Sequence, residues 1–296
     1  MNQEFSFTVM TKDLQKALGV AIKNIRPKPT VPMLANIHLI ANENKLEIQA
    51  VEATESIAVI LDAEVEVPGE CVVEAKLMAN IVDHIDEERL FFSKEKDKGE
   101  LQIQSGWNVT SIKVVSVSEY PSFPDARPEN TVSIDKEELD KMIGKTIFAC
   151  STDNVRPVFT GAYITFNEGE IMLAASDSRV LAISRKNNDN TMEGISAIIP
   201  AKVLSNVQSI DGKKKEIEIS FVDTRVIFSC NKTKIVSNVI SGNYPNVTQV
   251  IPKDWATTIE IDREKLLKAV DRVKVFGEND LKAITLDIQK EQIFLT

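Results

Sequence analysis

The chain has 296 residues, of which 43% are hydrophobic and 27% are charged, and its formal net charge is −9. These values are ordinary for a globular protein of two or three domains, and the acidity excludes a protein whose whole surface binds nucleic acid. The sequence has no run of 18 apolar residues and no basic, apolar leader, so we expect a cytoplasmic protein without a membrane segment.

Amphipathic spacing predicts helices near residues 12–24, 75–86, 135–149, 201–210 and 263–275. One short alternating strand precedes each helix, and about three strands follow it except at the end of the chain. Asp135 with Glu138 three residues later resembles a capping box, and Thr11 and Asp262 are candidate N-caps. The pattern indicates an α+β fold made of strand-helix-strand-strand-strand units.

The strand-helix start recurs about every 125 residues. Leu14, Leu139 and Leu266 each follow a short alternating strand, and they are 125 and then 127 residues apart. Four later pairs of motifs keep nearly the same offset: Pro32 and Pro157, Glu52 and Asp177, residues 73–76 and 199–202, and residues 120–121 and 244–245. A period of this length is that of a whole domain. We therefore predict tandem repeated domains at residues 1–127, 128–252 and 253–296, the third of them incomplete.

The residues that could carry catalysis or bind a metal are sparse and scattered. Cys71, Cys150 and Cys230 lie far apart in apolar stretches, which is typical of reduced, buried thiols. His38 and His84 have no partner at metal-binding spacing, and the chain has no nucleophile-elbow motif and no glycine-rich phosphate loop. We expect no enzymatic activity, no metal and no cofactor.

Basic residues recur on one face of corresponding helices. They are Lys12, Lys16 and Lys23 on the first helix, Lys76 and Lys202 at the starts of the second-unit helices, Lys141 and Lys145 on the third helix, and Lys265, Lys268 and Arg272 on the last. Solvated helix faces would explain each set alone, and acidic residues outnumber the bases on the third helix. Their recurrence favours a concave basic lining that holds duplex DNA through its phosphates without reading bases.

Four segments resemble the beta subunit of bacterial DNA polymerase III, the beta sliding clamp, and the resemblance extends over the whole chain. They are residues 26–37 (RPKPTVPMLANI), 154–161 (NVRPVFTG), 175–182 (ASDSRVLA) and 242–252 (GNYPNVTQVIP). The resemblance implies a clamp fold with the helices on the inner face of a ring of two three-domain subunits. Such a ring encircles duplex DNA, is opened by a clamp loader, and tethers the replicative polymerase as a processivity factor. It adds Lys28 to the DNA-facing residues.

The resemblance also implies a pocket that captures short peptide motifs of polymerase, loader and repair proteins. The matching positions are Phe159, Ser176, Ser178, Arg179, Val180, Leu181, Pro245, Gln249 and Val250. An aromatic ring, aliphatic side chains and a rigid proline suit apolar anchors, while Ser and Gln suit polar groups. The sequence departs from the family where Ser178-Arg179-Val180 replaces a frequent Gly-His-Arg and where Gln249 replaces a frequent arginine.

The head-to-tail contact of the family's homodimer maps to Thr110 and Ile112 in the first domain and to Val275 and Phe276 in the third. Because the third repeat stops after one helix and about two strands, we expect this chain to close rings poorly. The alternative function is a partner-docking scaffold of the same domain type that does not encircle DNA.

Overall fold

The computed structural model describes residues 3–26, 28–96, 98–124, 130–167, 169–187, 194–210, 215–275, 284–290 and 292–296. The chain divides into two compact units, Met1–Pro245 and Asn246–Thr296. Across the described ranges, the helices are all too short or too polar to cross a lipid bilayer.

In its described residues, the first repeat contains two α-helices and nine strands. They are β1 (Gln3–Met10), α1 (Thr11–Ala21), β2 (Asn36–Asn42), β3 (Lys45–Val51), β4 (Glu55–Asp62), β5 (Glu64–Val67), β6 (Gly69–Glu74), α2 (Ala75–Asp83), β7 (Arg89–Glu95), β8 (Glu100–Ser105) and β9 (Asn108–Val115). Apart from the short β5, this is the predicted strand-helix-strand-strand-strand unit used twice.

The described part of the second repeat follows the same order without a counterpart of β5, and has two α-helices and eight strands. They are β10 (Asn130–Asp135), α3 (Lys136–Gly144), β11 (Gly161–Asn167), β12 (Glu170–Ser176), β13 (Leu181–Asn187), β14 (Ile195–Pro200), α4 (Ala201–Gln208), β15 (Glu216–Val222), β16 (Arg225–Cys230) and β17 (Thr233–Asn238). The second compact unit contains α5 (Arg263–Lys274) and an antiparallel hairpin of β18 (Leu286–Ile288) and β19 (Ile293–Leu295).

One sheet runs through both repeats. Its thirteen strands lie in the order β10-β15-β16-β17-β4-β3-β2-β6-β9-β8-β7-β1-β5, and a second sheet has the order β13-β12-β11-β14. The two repeats join where β17 pairs antiparallel with β4, with Ile235 opposite Ile57. The edge-to-edge pairing therefore gives a continuous backbone hydrogen-bond network across the boundary between repeats.

The core lies between the sheets and the helices. On α1, Leu14, Ala17, Leu18 and Ala21 recur at helical spacing and are all buried, so the opposite face is left for polar residues. Phe7 on β1 stacks on Phe92 of β7 with their ring centroids 4.8 Å apart. Burial of side chains of this size stabilises the fold by about 1.5–3 kcal/mol each, which is why the apolar stripe fixes where each helix docks.

All five predicted helices are confirmed, and each ends before its predicted limit; side-chain hydrogen bonds mark two of these ends. After Ala21 the chain makes a short 3-10 turn to Asn24, whose side-chain amide donates to the carbonyl oxygens of Glu55 and Ala50. After Gly144 the hydroxyl of Thr146 donates to the carbonyl of Met142 at 2.8 Å. The Thr146 hydroxyl bonds to backbone within its own turn and so competes with continuation of the helix. The Asn24 amide is instead held by the backbone of β3 and of the start of β4.

The predicted N-caps have mixed outcomes. Asp135 and Asp262 are confirmed, because their carboxylates accept the backbone N–H groups of Glu138 and Lys265. The Glu138 carboxylate lies against Lys141 and Lys186, so the reciprocal half of the capping box is not formed. Thr11 is wrong as a cap: Met10 holds that position, and the Thr11 hydroxyl donates to the Glu87 carbonyl.

The short alternating strand predicted before the last helix, which would occupy residues 259–261, is also wrong. This segment has no strand assignment, and Ile259 and Ile261 are exposed. A strand needs a neighbour to satisfy its backbone groups. Among the described residues of the second unit, β18 and β19 pair with each other, so alternation alone did not produce a strand here.

Candidate functional site

The first helix carries an exposed basic face. Lys12 and Lys16 lie one turn apart on α1 and are exposed, opposite the buried stripe. Lys23 in the following 3-10 turn and Lys28 in the loop beyond it are exposed as well. These four ammonium groups are available to anions from solvent.

The other helices of the two repeats are less uniform. Lys76 is exposed in the first turn of α2, and Lys145 is exposed just after α3. Lys141 instead lies 2.9 Å from the carboxylate of Glu137 and 3.4 Å from that of Glu138. These contacts raise the pKa of Lys141, with Glu137 the larger cause. A DNA phosphate would have to compete with both carboxylates for this lysine.

Lys202 on α4 reaches the first repeat. Its ammonium group donates to the carbonyl oxygen of Asn24 at 3.2 Å and lies 3.9 Å from the carboxylate of Glu55. The side chain is half exposed, so it faces solvent on one side and the junction of the repeats on the other.

The basic residues of the second unit lie on α5. Lys265, Lys268 and Arg272 are exposed, and the partly buried Leu266 and Val270 lie on the face opposite them. Asp262 caps the helix by accepting the N–H of Lys265 at 2.8 Å.

Seven of the nine predicted pocket residues lie in the first unit. Phe159 lies in a 3-10 turn just before β11, while Ser176 ends β12 and Leu181 begins β13. Because β11 and β12 are antiparallel, the segment before β11 and the turn after β12 lie at the same end of their sheet. The structure thus brings the first two predicted pocket segments together.

The turn from Ser176 to Leu181 is held by its own side chains. The Asp177 carboxylate accepts the backbone N–H groups of Arg179 at 2.8 Å and Val180 at 2.7 Å, and these bonds hold its pKa below the usual value. The Ser176 hydroxyl accepts the N–H of Ser178, whose φ of 77° lies in the left-handed region. The exposed Arg179 and Val180 are therefore presented by a fixed backbone.

An aromatic cluster borders this turn, and sequence reasoning missed two of its members as site residues. Tyr244 meets Phe159 edge-on at 5.7 Å between ring centroids and stacks on Tyr163 at 5.2 Å. Burial raises the pKa of Tyr244 to about 12. In the sequence, Tyr244 served only to mark the repeat, although its neighbour Pro245 was predicted to line the pocket. The cluster gives the site a rigid apolar wall.

The remaining pocket residues lie at or beyond the boundary between units. Pro245 is the last residue of the first unit and is exposed. Gln249 and Val250 belong to the second unit, where the Gln249 N–H donates to the Asn246 carbonyl at 3.3 Å and Val250 is exposed.

The predicted subunit contact has one edge in the first repeat. Thr110 on β9 is exposed and pairs with Ile103, whereas the Ile112 side chain is only 2% exposed and packs in the core. Ile112 can therefore contribute only backbone atoms to a subunit contact at this edge. Trp107, which the sequence pattern did not single out, is fully exposed at the turn before β9, and Val109 beside it is exposed too.

In the third predicted domain, Val275 follows α5 and is 76% exposed. Phe276, the other predicted contact residue there, lies outside the described residues.

The prediction of buried thiols is confirmed for two of the three cysteines. Cys71 and Cys230 are buried, Cys150 is half-buried, and no disulfide joins any of the three. Burial raises the pKa of Cys71 to about 12 and of Cys150 to about 11, so both are protonated at neutral pH. Over the described part of the chain, His, Cys, Asp and Glu form no group of three or more able to hold a metal ion.

The fold is shared with known proteins. Residues 5–124 match the model of the DNA polymerase III beta subunit N-terminal domain, and residues 133–246 match that of its central domain. The beta sliding clamp of Bacillus subtilis (strain 168) is 25% identical over 281 residues, which cover 92% of this chain and 74% of the relative. The beta sliding clamp of Staphylococcus aureus (strain Mu50 / ATCC 700699) is 25% identical over 294 residues, covering 95% and 78%.

Solved structures agree with the sequence relatives. The C. crescentus beta sliding clamp has a TM-score of 0.93 at 26% identity, covering all of this chain and 80% of that one. The DNA polymerase sliding clamp of Bacillus subtilis has a TM-score of 0.92 at 23% identity, covering 99% and 80%. With both family models matched in chain order, this chain belongs to the DNA polymerase III beta subunit family, the beta sliding clamps.

Proposed function

We propose that the exposed lysines of the helices hold duplex DNA while the chain acts as a processivity factor. The observation that carries this proposal is the basic face of α1, where Lys12 and Lys16 project from the helix surface opposite its buried stripe. Contacts of this kind bind phosphates without reading sequence and allow sliding. Within the first unit, Lys23, Lys28, Lys76 and Lys145 extend the surface, while Lys141 and Lys202 contribute less because carboxylates already engage them. In the second unit, α5 presents a basic face of its own with Lys265, Lys268 and Arg272.

The salt dependence of DNA binding tests this surface. For a labelled duplex measured by fluorescence anisotropy between about 50 and 200 mM salt, log affinity should fall linearly with log salt. Replacing Lys12 and Lys16 with Gln should reduce that slope by about 0.9 for each phosphate that is no longer neutralised. The matched control replaces Lys45 on β3 and Lys113 on β9, which are exposed on strands. Equal slopes for the two double variants would contradict the assignment.

We further propose that the Ser176–Leu181 turn and the Phe159–Tyr244–Tyr163 cluster bind short peptide motifs of the polymerase, clamp loader and repair proteins. The fixed turn and the aromatic wall support it, because a pre-formed apolar pocket with a few polar groups binds a peptide at low ordering cost. Pro245 belongs to the same unit and extends the proposed pocket, while Gln249 and Val250, in the second unit, stay predictions from the resemblance.

The exposed Val180 offers a direct test of the pocket. Titration of a labelled peptide from the C-terminal region of the cognate replicative polymerase should show binding about tenfold weaker for Val180→Ser, since the serine removes about 1.4 kcal/mol of apolar burial. The matched control is Val31→Ser, because Val31 is exposed by 52% and Val180 by 48%. Equal affinities for both variants would remove Val180 from the site.

The same proposal extends to assembly and location. The exposed Val109 and Thr110 at the start of β9, with Trp107 in the turn before it, suit a head-to-tail homodimer contact with Val275 and Phe276 of a second copy. We propose that the protein works in the cytoplasm, where chromosomal DNA lies, and that it tethers other enzymes without catalysing a reaction.

Sedimentation velocity tests the proposed subunit contact. Trp107→Ser should lower the fraction of dimer, and an unchanged fraction would exclude this edge from the contact.

A further inference from the structure

The first and second repeats meet through two layers of contacts. In the sheet layer, β4 and β17 pair along their length, and the N–H of Ile60 donates to the Lys232 carbonyl at 2.7 Å. At the other end, the N–H of Asn238 donates to the Thr54 carbonyl at 3.0 Å. A strand pair of this kind fixes register, but its twist varies by tens of degrees between proteins. The sheet layer alone does not define the angle between the repeats.

The second layer lies on the helix side of the sheet and centres on Glu55. This residue is 4% exposed, and its carboxylate accepts a hydrogen bond from the side-chain amide of Asn206 on α4 at 2.8 Å. Lys202, one turn earlier on α4, lies 3.9 Å from the same carboxylate and donates to the Asn24 carbonyl at 3.2 Å. The Asn24 amide in turn donates to the Glu55 carbonyl at 2.9 Å. We name Asn24, Glu55, Lys202 and Asn206 the junction tie.

The junction tie depends on orientation because its central group is a buried carboxylate. Such a group is costly to bury unless it keeps its hydrogen bonds and its counter-charge. Glu52 and, through it, Arg26 are the other charged groups that face Glu55, and Glu52 adds like charge, so Asn206 and Lys202 supply the compensation. Both lie on α4, and a change in the angle between the repeats would withdraw them together.

We propose that Glu55 is a positioning residue, which fixes the angle between the first and second repeats through Asn206 and Lys202. The pair of Lys232 and Asp62 also crosses the junction, but both side chains are exposed, so it contributes little to the angle. The consequence for the clamp rests on the proposed function: where the repeats surround DNA, this angle sets the curvature of the basic lining. The tie itself does not depend on DNA.

Distances between spin labels on the two repeats test the proposal without DNA. The labels are attached to cysteines introduced at Asn42 and Asn167, which are exposed and equivalent in the two repeats. The Cys150→Ser substitution is added so that the remaining native thiols are buried and are not labelled. Measured by pulsed electron–electron double resonance, the parent protein should give one narrow distribution of distances between the two labels. Glu55→Ala should shift or broaden this distribution. Glu55→Gln should give a distribution closer to that of the parent, because its amide oxygen still accepts the hydrogen bond from Asn206. The matched control Asp62→Ala should leave the distribution unchanged.

A Glu55→Ala distribution that superimposes on the parent, in protein with a cooperative melt, would overturn the proposal. Should Glu55→Ala fail to fold, Lys202→Met decides, because it removes the ammonium group at a half-exposed position: a broader distribution supports the tie, and an unchanged one overturns it. Because no DNA is present, failure of DNA binding in the same protein would count against the proposed function and leave this result standing.

Discussion

Ser178 is the pocket residue with the least favourable backbone. Its φ of 77° is a left-handed conformation that costs a side-chain-bearing residue about 1–2 kcal/mol, and glycine adopts it freely. The hydrogen bond from its N–H to the Ser176 hydroxyl and the two bonds to Asp177 hold the chain there. Glycine, the residue frequent at this position in the family, would meet the same requirement without strain.

We therefore expect Ser178→Gly to stabilise the protein by about 0.5–1 kcal/mol, because relief of strain exceeds the added freedom of the unfolded chain. Ser176→Ala should destabilise it by about 1 kcal/mol through loss of the hydroxyl acceptor. Urea denaturation of both variants measures these changes. A destabilised Ser178→Gly would show that the serine side chain makes a contribution larger than its strain.

Glu55 gives the molecule a pH dependence. Burial raises the pKa of its carboxyl above the ordinary 4.5, against the lowering effects of the Asn206 hydrogen bond and the Lys202 charge. The folded state then keeps a proton that the unfolded chain has lost. The protonated Glu55 carboxyl therefore contributes stability that is fully present below about pH 4.5 and is lost as the pH rises through the raised pKa of the folded state.

Urea denaturation at several pH values from about 4.5 to 7 tests this sign. The free energy of unfolding should decline more with rising pH in the parent than in Glu55→Gln, which cannot titrate. Parallel profiles would mean that the burial of Glu55 has no net effect on its protonation.

At the scale of the elements, the caps decide where α3 and α5 begin. Asp135→Ala should cost about 1 kcal/mol, because the N–H of Glu138 loses its acceptor, while Asp135→Asn should cost only a few tenths. Thermal unfolding followed by circular dichroism compares the two. Equal losses would show that the charge of Asp135, and not its hydrogen bond, stabilises the start of α3.

The helices could be predicted from sequence because amphipathic spacing and capping residues act locally. Their ends could not. Asn24 follows α1 and donates to carbonyl groups far away in sequence, which only the folded chain identifies. The Thr146 hydroxyl bonds within its own turn after α3, and a threonine in the sequence does not show whether it will make that bond. The strand at 259–261 failed for the same reason, since alternation predicts a strand but a neighbouring strand must satisfy its backbone. Local patterns thus fix the type of element more securely than its length.

At the scale of the whole molecule, the repeat was predictable and the joint between repeats was not. The period of about 125 residues reproduced the order of helices and strands in both repeats. Nothing local marks β4 and β17 as partners, because their pairing brings together residues about 180 positions apart, such as Ile57 and Ile235. The junction tie was missed for that reason, and Lys202 was interpreted only as a DNA contact.

The proposed peptide pocket was also predictable only in part. The resemblance to the family supplied Phe159 and the residues of the Ser176–Leu181 turn, and the structure adds Tyr163 and Tyr244, which stack beside them. Their rings come from β11 and from a segment about 80 residues later, and only the folded chain shows that they meet. The aromatic wall therefore had no sequence signal of its own.

The proposed function depends above all on the chain holding DNA by encircling it. Encirclement is tested by loading the protein onto nicked circular duplex with the cognate clamp loader and ATP, and by following retention in gel filtration before and after the circle is cut once. Of the protein that is loaded, however small that fraction, we predict retention on the circle at salt high enough to screen simple phosphate binding, and release when the DNA is linearised. Equal retention on circular and linear DNA would contradict encirclement.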